Sequence, residues 1–148
     1  MGTLALDSIL VSPLQRISVK GGDVLRALKV EDVGFQGFGE AYFSWIDKNE
    51  IKGWKRHSQM TMNLVVPVGM VRFVFADSVS DTHSIEFRTI EIGSDNYARI
   101  TVPPNIWFAF QGLEQRSNLI LNISNILHSS TESEKLDLRS FEYSWNNS

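Results

Sequence analysis

At 148 residues, with 43% hydrophobic and 21% charged side chains, the chain has the size of one globular domain, since domains cluster at roughly 100–150 residues. A formal charge of -3, with no basic run longer than Lys55-Arg56, argues against a nucleic-acid surface as partner. The lack of cysteine excludes disulfides, thiolate nucleophiles and cysteine-bound zinc.

In chain order, Met1 to Val19 is too broken by Asp7, Ser8, Pro13 and Arg16 for a signal peptide or a membrane span. A cytoplasmic chain with no membrane partner is expected, as one domain over residues 1–148. Leu4-Ala5-Leu6 with Ile9-Leu10-Val11 reads as an added or exchanged edge strand. Further on, apolar residues alternate or form short β-branched and aromatic runs, the signature of strands. Ala41 to Ile46, Asn63 to Val66, Val71 to Phe75, Ser84 to Ile92, Arg99 to Val102 and Asn118 to Ser124 are each about strand length. Pro67-Val68-Gly69, Asp77 to Asp81, Gly93 to Asn96, Pro103-Pro104-Asn105 and Gly112-Leu113-Glu114 supply the turns.

In Asn118 to Ser124, the residues Leu119, Leu121 and Ile123 share one face, while Asn118, Ile120, Asn122 and Ser124 share the other, a pattern suited to a wall between core and a partly polar cavity. The expected helix is a short acidic one over Thr131 to Ser140, capped by Ser129, Ser130 or Thr131 and lying outside the barrel. Many short strands at regular spacing predict an all-β sandwich or barrel, with a jelly roll the natural candidate.

The stretch Lys52 to Gly69 carries most of the chemistry. Read as one extended strand, it places Lys55, His57, Gln59, Thr61 and Asn63 on one side. A base, an ammonium and three hydrogen-bonding groups in a row suit a cavity wall better than a core.

This segment resembles the cupin strand of the sugar 3,4-ketoisomerases, which reads Arg-Gly-Phe-His-Ala-His and runs on to a turn glycine. The match continues through Val71 to Asp77. A second block, Val102 to Gln111, resembles a proline-rich turn and strand that holds an aromatic and a histidine in these families. With Gly37-Phe38-Gly39-Glu40-Ala41-Tyr42 upstream, the layout is also similar to the dTDP-4-dehydrorhamnose 3,5-epimerase group. The chain is thereby identified as an RmlC-like cupin over roughly residues 37 to 125, which implies a double-stranded β-helix, or jelly roll, with little helix.

There are departures from the pattern. Lys55 stands where the ketoisomerases have their first histidine, leaving only His57, and Phe108 replaces the histidine of the second block. No tyrosine lies in Asn118 to Ser124, where an epimerase places its acid. Thr61 and Phe108 occupy expected ligand places of a metal cupin, so no metal is expected.

The resemblance implies a nucleotide-linked 4-keto-6-deoxy sugar as small-molecule partner, epimerised or isomerised by proton removal beside the ketone, in carbohydrate biosynthesis for surface polysaccharide. That chemistry needs no redox cofactor. On this reading His57 is the base, Lys55 stabilises the enolate oxygen and helps keep His57 neutral, and Tyr42 returns a proton. Lys52 and Arg72 hold the diphosphate and Trp107 stacks on sugar or base, with Asn63, Gln111 and Asn122 completing the substrate contacts.

Plainer readings stand beside these. His57 fits a hydrogen-bonded barrel histidine, Lys55 and Arg56 a solvated strand edge, and Tyr42, Trp45, Trp54 and Trp107 core or dimer contacts. Arg72, in an apolar run, needs solvent, an acidic partner or an anion. His83 and His128 read as loop residues outside the site, and Asn122-Ile123-Ser124 as a chance glycosylation sequon. The alternative functions are a non-catalytic cupin that binds a sugar nucleotide or related ligand, and an assembly partner for another enzyme. Cupins of this kind pair as homodimers, which is the expected state here.

Overall fold

Alternation of apolar and polar residues, interrupted by turn chemistry, produces strands almost throughout. A computed structural model describes residues 4–78 and 84–146. Its strands are β1 (Leu10–Pro13), β2 (Arg16–Ile17), β3 (Val24–Leu25), β4 (Glu40–Ile46), β5 (Ile51–His57), β6 (Met62–Val68), β7 (Met70–Ser78), β8 (Ile85–Gly93), β9 (Ala98–Val102), β10 (Trp107–Gly112), β11 (Asn118–Ser124) and β12 (Ser133–Lys135). The first sheet has the order β1-β9-β6-β11-β4 and the second β12-β5-β10-β7-β8, with β2 and β3 forming a small hairpin. Every pairing between these strands is antiparallel. The two five-stranded sheets face each other as an all-β jelly roll. The loop expected around His83 lies outside the described residues.

The core fills the space between the sheets. Strand β7 shows how alternation sorts it: Val71, Phe73 and Phe75 point inward and join Met62, Leu64, Ile100 and Ile120, all nearly inaccessible. Val74 and Ala76 point outward and, with Trp54 and Ala109, make a second cluster. That outer cluster is covered by the C-terminal segment, through Leu138, Phe141, Tyr143 and Trp145.

Two expectations for the termini are corrected. Leu4–Asp7 forms a single helical turn (α1), not a strand. Leu6 and Ile9 pack into the core, and Arg88 donates hydrogen bonds to their carbonyl oxygens at 2.8 and 3.0 Å. The edge strand is β1, added alongside β9 of the same chain. At the other end, Thr131 to Ser140 is not a helix: Ser133–Lys135 pairs with β5, and only Leu138–Ser140 makes a short 3-10 turn. Backbone hydrogen bonds to β5, including Leu136 N to the Trp54 carbonyl at 3.0 Å, outcompete helix formation here.

Candidate active site

The segment Lys52 to Asn63 is two strands instead of one. Strand β5 belongs to the second sheet and β6 to the first, so Ser58 to Thr61 carry the chain across the barrel and the alternation restarts. Lys55 and His57 therefore line the interior, while Asn63 emerges on the outside of the first sheet. There its amide donates to the Gly34 carbonyl at 3.0 Å and accepts from Arg99 and Thr101. A β-carbon on Gly34 would sit 2.2 Å from the Thr101 hydroxyl oxygen, so glycine alone permits this close approach. Gln59 is exposed on the crossing turn, and the backbone N–H of Thr61 donates to Asn125 Oδ1 at 2.8 Å.

Between the sheets lies a cavity of about 510 Å³. Its apolar part is made by Leu64, Phe73, Phe108, Phe110 and Ile120, and its polar part by Tyr42, Ser44, Lys52, Lys55, His57, Asn122 and Lys135. The size suits a small organic ligand, for which pockets span roughly 300–1,000 Å³.

His57 is the best-defined polar group in it. Only 5% exposed, its Nδ1 lies 2.8 Å from Oε1 of Glu132, itself 7% exposed. The second carboxylate oxygen accepts the backbone N–H groups of Gln59 at 3.2 Å and Met60 at 2.9 Å. The Phe108 ring stacks parallel to the imidazole, with centroids 6.0 Å apart. A carboxylate only accepts, so Nδ1 carries the proton and Nε2 is left with its lone pair. Burial lowers the His57 pKa, helped by Lys55 and His128 and opposed by Glu132. Burial acts to raise the Glu132 pKa, but the hydrogen bonds from His57, Met60 and Gln59 outweigh it and hold the carboxyl below its ordinary value. The pair is a neutral imidazole backed by a carboxylate, the arrangement of a general base.

Lys55 projects beside His57 and is directly paired with Lys135 on β12. Burial, and then Lys135, lower the Lys55 pKa, with Glu132 opposing. Neither ammonium has an ion pair among the described residues. Lys52 reaches across the rim to the Trp45 carbonyl oxygen at 2.8 Å. On the opposite sheet, Tyr42 of β4 accepts a 3.1 Å hydrogen bond from Asn122 Nδ2 of β11. Burial raises the Tyr42 pKa and Glu40 adds to this, while the Asn122 hydrogen bond opposes. No group of three or more His, Asp or Glu that could hold a metal ion occurs among the described residues.

The structure thus gathers His57, Lys55, Tyr42, Lys52 and Asn122 around one cavity. Arg72, Trp107 and Gln111 lie elsewhere, on the outer face of the second sheet, where alternation places them once Phe73, Phe108 and Phe110 point inward. Arg72 meets Glu91 at 2.8 Å and Gln111 at 3.1 Å, so its charge has an acidic partner without any bound phosphate. Trp107 packs on Phe141 and under the Arg56 guanidinium, 4.7 Å from its ring centre. Arg56 also pairs with Glu134 at 2.6 Å, which separates its role from that of Lys55. His128 lies on an exposed loop.

Sequence reasoning missed Glu132 and Lys135, because their segment read as an acidic helix. The signal was present in the alternation of Phe141, Tyr143 and Trp145, which marks an extended chain lying on a sheet.

Two facing sheets around a histidine-bearing cavity define an RmlC-like cupin. The solved structure of a dTDP sugar isomerase from Desulfovibrio desulfuricans G20 is 33% identical, covers 96% of this chain and 93% of that one, and superposes with a TM-score of 0.87. The chain belongs to this dTDP-sugar isomerase family. A dTDP-4-dehydrorhamnose 3,5-epimerase from Sulfolobus tokodaii shares the fold at 18% identity, with 91% and 80% of the two chains covered and a TM-score of 0.77. So does the 3,4-ketoisomerase QdtA of Thermoanaerobacterium thermosaccharolyticum, in a mutant form complexed with TDP-4-keto-6-deoxyglucose, at 16% identity, 85% and 86% coverage and a TM-score of 0.69. No protein-family model and no curated protein matches the chain.

Proposed function

We propose that the chain epimerises or isomerises a nucleotide-linked 4-keto-6-deoxy sugar in the cytoplasm, feeding carbohydrate biosynthesis for surface polysaccharide. The observation that carries this reading is the buried pairing of His57 with Glu132 at the wall of a ligand-sized cavity, opposite Tyr42.

In the proposed reaction, Nε2 of His57 takes the proton from a carbon beside the ketone. The C–H electron pair becomes a C=C bond as the carbonyl oxygen gains charge, and Lys55 hydrogen-bonds that oxygen. Glu132 stabilises the imidazolium so formed. Tyr42, on the facing wall, returns a proton to carbon. Lys135 and Lys52 attract the diphosphate; the Lys135 ammonium is paired across adjacent strands with that of Lys55, and the two repel until an anion sits beside them. Membership of a dTDP-sugar isomerase family supports the substrate class.

A homodimer is part of the proposal. Phe43 and Trp45 on β4 are 63% and 58% exposed and pair across the strands with Leu121 and Leu119, an apolar strip that a second copy would cover.

The test is deuterium uptake in heavy water by a panel of nucleotide-linked 4-keto-6-deoxy sugars. The wild-type chain should label carbon beside the ketone, and His57→Asn should slow labelling by roughly two to four orders of magnitude while still folding. Equal rates for the two proteins would end the mechanism, and no labelling of any sugar by the wild type would leave only a binding role.

A further inference from the structure

Buried polar side chains in this protein are well satisfied. Asn63, Arg99, Thr101, Gln111, Asn118 and Ser124 all have hydrogen-bond partners. Among the described residues only two buried side-chain polar atoms have none: Trp145 Nε1, in the C-terminal segment, and Asn122 Oδ1. Asn122 is 8% exposed and lines the cavity. Its Nδ2 is occupied, donating to the Tyr42 oxygen at 3.1 Å and contacting Met62 Sδ at 3.6 Å.

An orphaned buried acceptor is unfavourable in the free protein, and the penalty is relieved by any ligand that brings a donor to it. A carbonyl oxygen cannot, because its lone pairs would face those of Oδ1. A hydroxyl can. The Asn122 to Tyr42 hydrogen bond adds direction: with the phenol oxygen accepting from Nδ2, the Tyr42 proton is turned away from Asn122 and is left to a ligand.

We propose that Asn122 is a specificity-determining residue whose Oδ1 accepts a hydrogen bond from one ring hydroxyl of the bound sugar, so that a hydroxylated carbon, not the ketone, lies against β11. Its Nδ2 at the same time positions Tyr42. The inference rests on the reading of the cavity as a sugar-nucleotide site and adds which functional group that site selects. Sites that hydrogen-bond a substrate hydroxyl reject analogues lacking it, because the protein group is left unpaired.

The test is calorimetric binding of dTDP-6-deoxyglucose and its 2-deoxy and 3-deoxy analogues to the full chain. The wild type should bind one deoxy analogue on the order of tenfold more weakly than the parent. Asn122→Leu, similar in size but without the acceptor, should lose that difference, and Asn122→Asp, which keeps an acceptor oxygen, should retain it. Should the leucine variant fold poorly, the aspartate variant and the wild type still report the preference. Parent binding with no discrimination at any position, or discrimination surviving in Asn122→Leu, overturns the role of Asn122 and leaves the substrate class standing. Failure of the wild type to bind any of the three sugars overturns both.

Discussion

Replacing Glu132 by Gln tests the proposed base directly, because it keeps the size of the side chain and changes one oxygen into a donor. The carboxylate accepts from His57 Nδ1 at 2.8 Å, Met60 N at 2.9 Å and Gln59 N at 3.2 Å. Glutamine cannot satisfy all three. If its oxygen stays on the two backbone N–H groups, its amide nitrogen faces Nδ1, which must then accept. The imidazole proton moves to Nε2, and the lone pair that should take a proton from the sugar is gone. If the amide turns the other way, a donor faces two backbone donors inside the protein.

The first arrangement should reduce deuterium uptake by roughly two to four orders of magnitude. That arrangement keeps the hydrogen bonds but removes their charge assistance, which costs about 1.5–3 kcal/mol over the three and corresponds to a fall in Tm of roughly 3–12 °C for a chain of this size. Exchange is followed by NMR in heavy water and unfolding by circular dichroism, so a folded but slow protein is distinguished from an unfolded one. Exchange within about twofold of wild type, with an unaltered Tm, would refute the assignment of Glu132 as the partner of the base.

The remaining predictions concern pH and assembly. Because burial lowers the His57 pKa, the acid limb of the exchange rate should lie below the ordinary histidine value of 6.5, and Lys55→Met, which removes a neighbouring positive charge, should move that limb to higher pH. A shift to lower pH would contradict the electrostatics. Stability should follow the same sign: the unfolded chain binds protons at His57 and Glu132 near their ordinary values of 6.5 and 4.5, where the folded chain resists them. Urea midpoints should therefore fall as pH drops below about 6.5 and continue to fall through the carboxylate range, and a flat profile would count against the buried pair. Light scattering should give a dimer mass for the wild type and a monomer for the double variant Phe43→Ser, Trp45→Ser. A monomeric wild type would remove the homodimer.

The strands were legible wherever alternation was local. Asn118 to Ser124 reads with its observed bounds, and the face carrying Ile120 and Asn122 does line the cavity, but the apolar face of Leu119, Leu121 and Ile123, expected to meet the core, lies half-exposed on the outside of the sheet. The errors have one physical source, which is that strand parity survives only as long as the strand does. Between His57 and Met62 the chain changes sheets, so counting by twos from Lys55 predicted the wrong face for Asn63. Arg72 fails differently. Its neighbours Val71 and Phe73 are core residues, and the same alternation that buries them sends Arg72 outward to Glu91. Of the three settings the apolar run suggests for this charge, solvent, an acidic partner or an anion, parity selects the acidic partner on the outer face.

Glu132 lies 75 residues from the histidine it serves, and no local pattern joins them. The join is made by the C-terminal segment as a whole, whose residues divide their work between the two sides of the second sheet. Glu132 and Lys135 face the cavity group, while Glu134 is tied to Arg56 outside. Further along, the Leu138 carbonyl receives the Trp54 indole N–H at 3.2 Å, and Phe141, Tyr143 and Trp145 cover the outer aromatic cluster. Burial of those rings holds β12 against β5, and β12 fixes where the carboxylate meets the imidazole. This arrangement also gives a physical reading of the departures from the ketoisomerase pattern. Lys55 stands in place of one histidine and Phe108 in place of another, yet the surviving imidazole is stacked by Phe108 and oriented by Glu132. A single well-oriented base needs no second histidine, so the substitutions are compatible with retained proton transfer so long as the C-terminal segment stays docked.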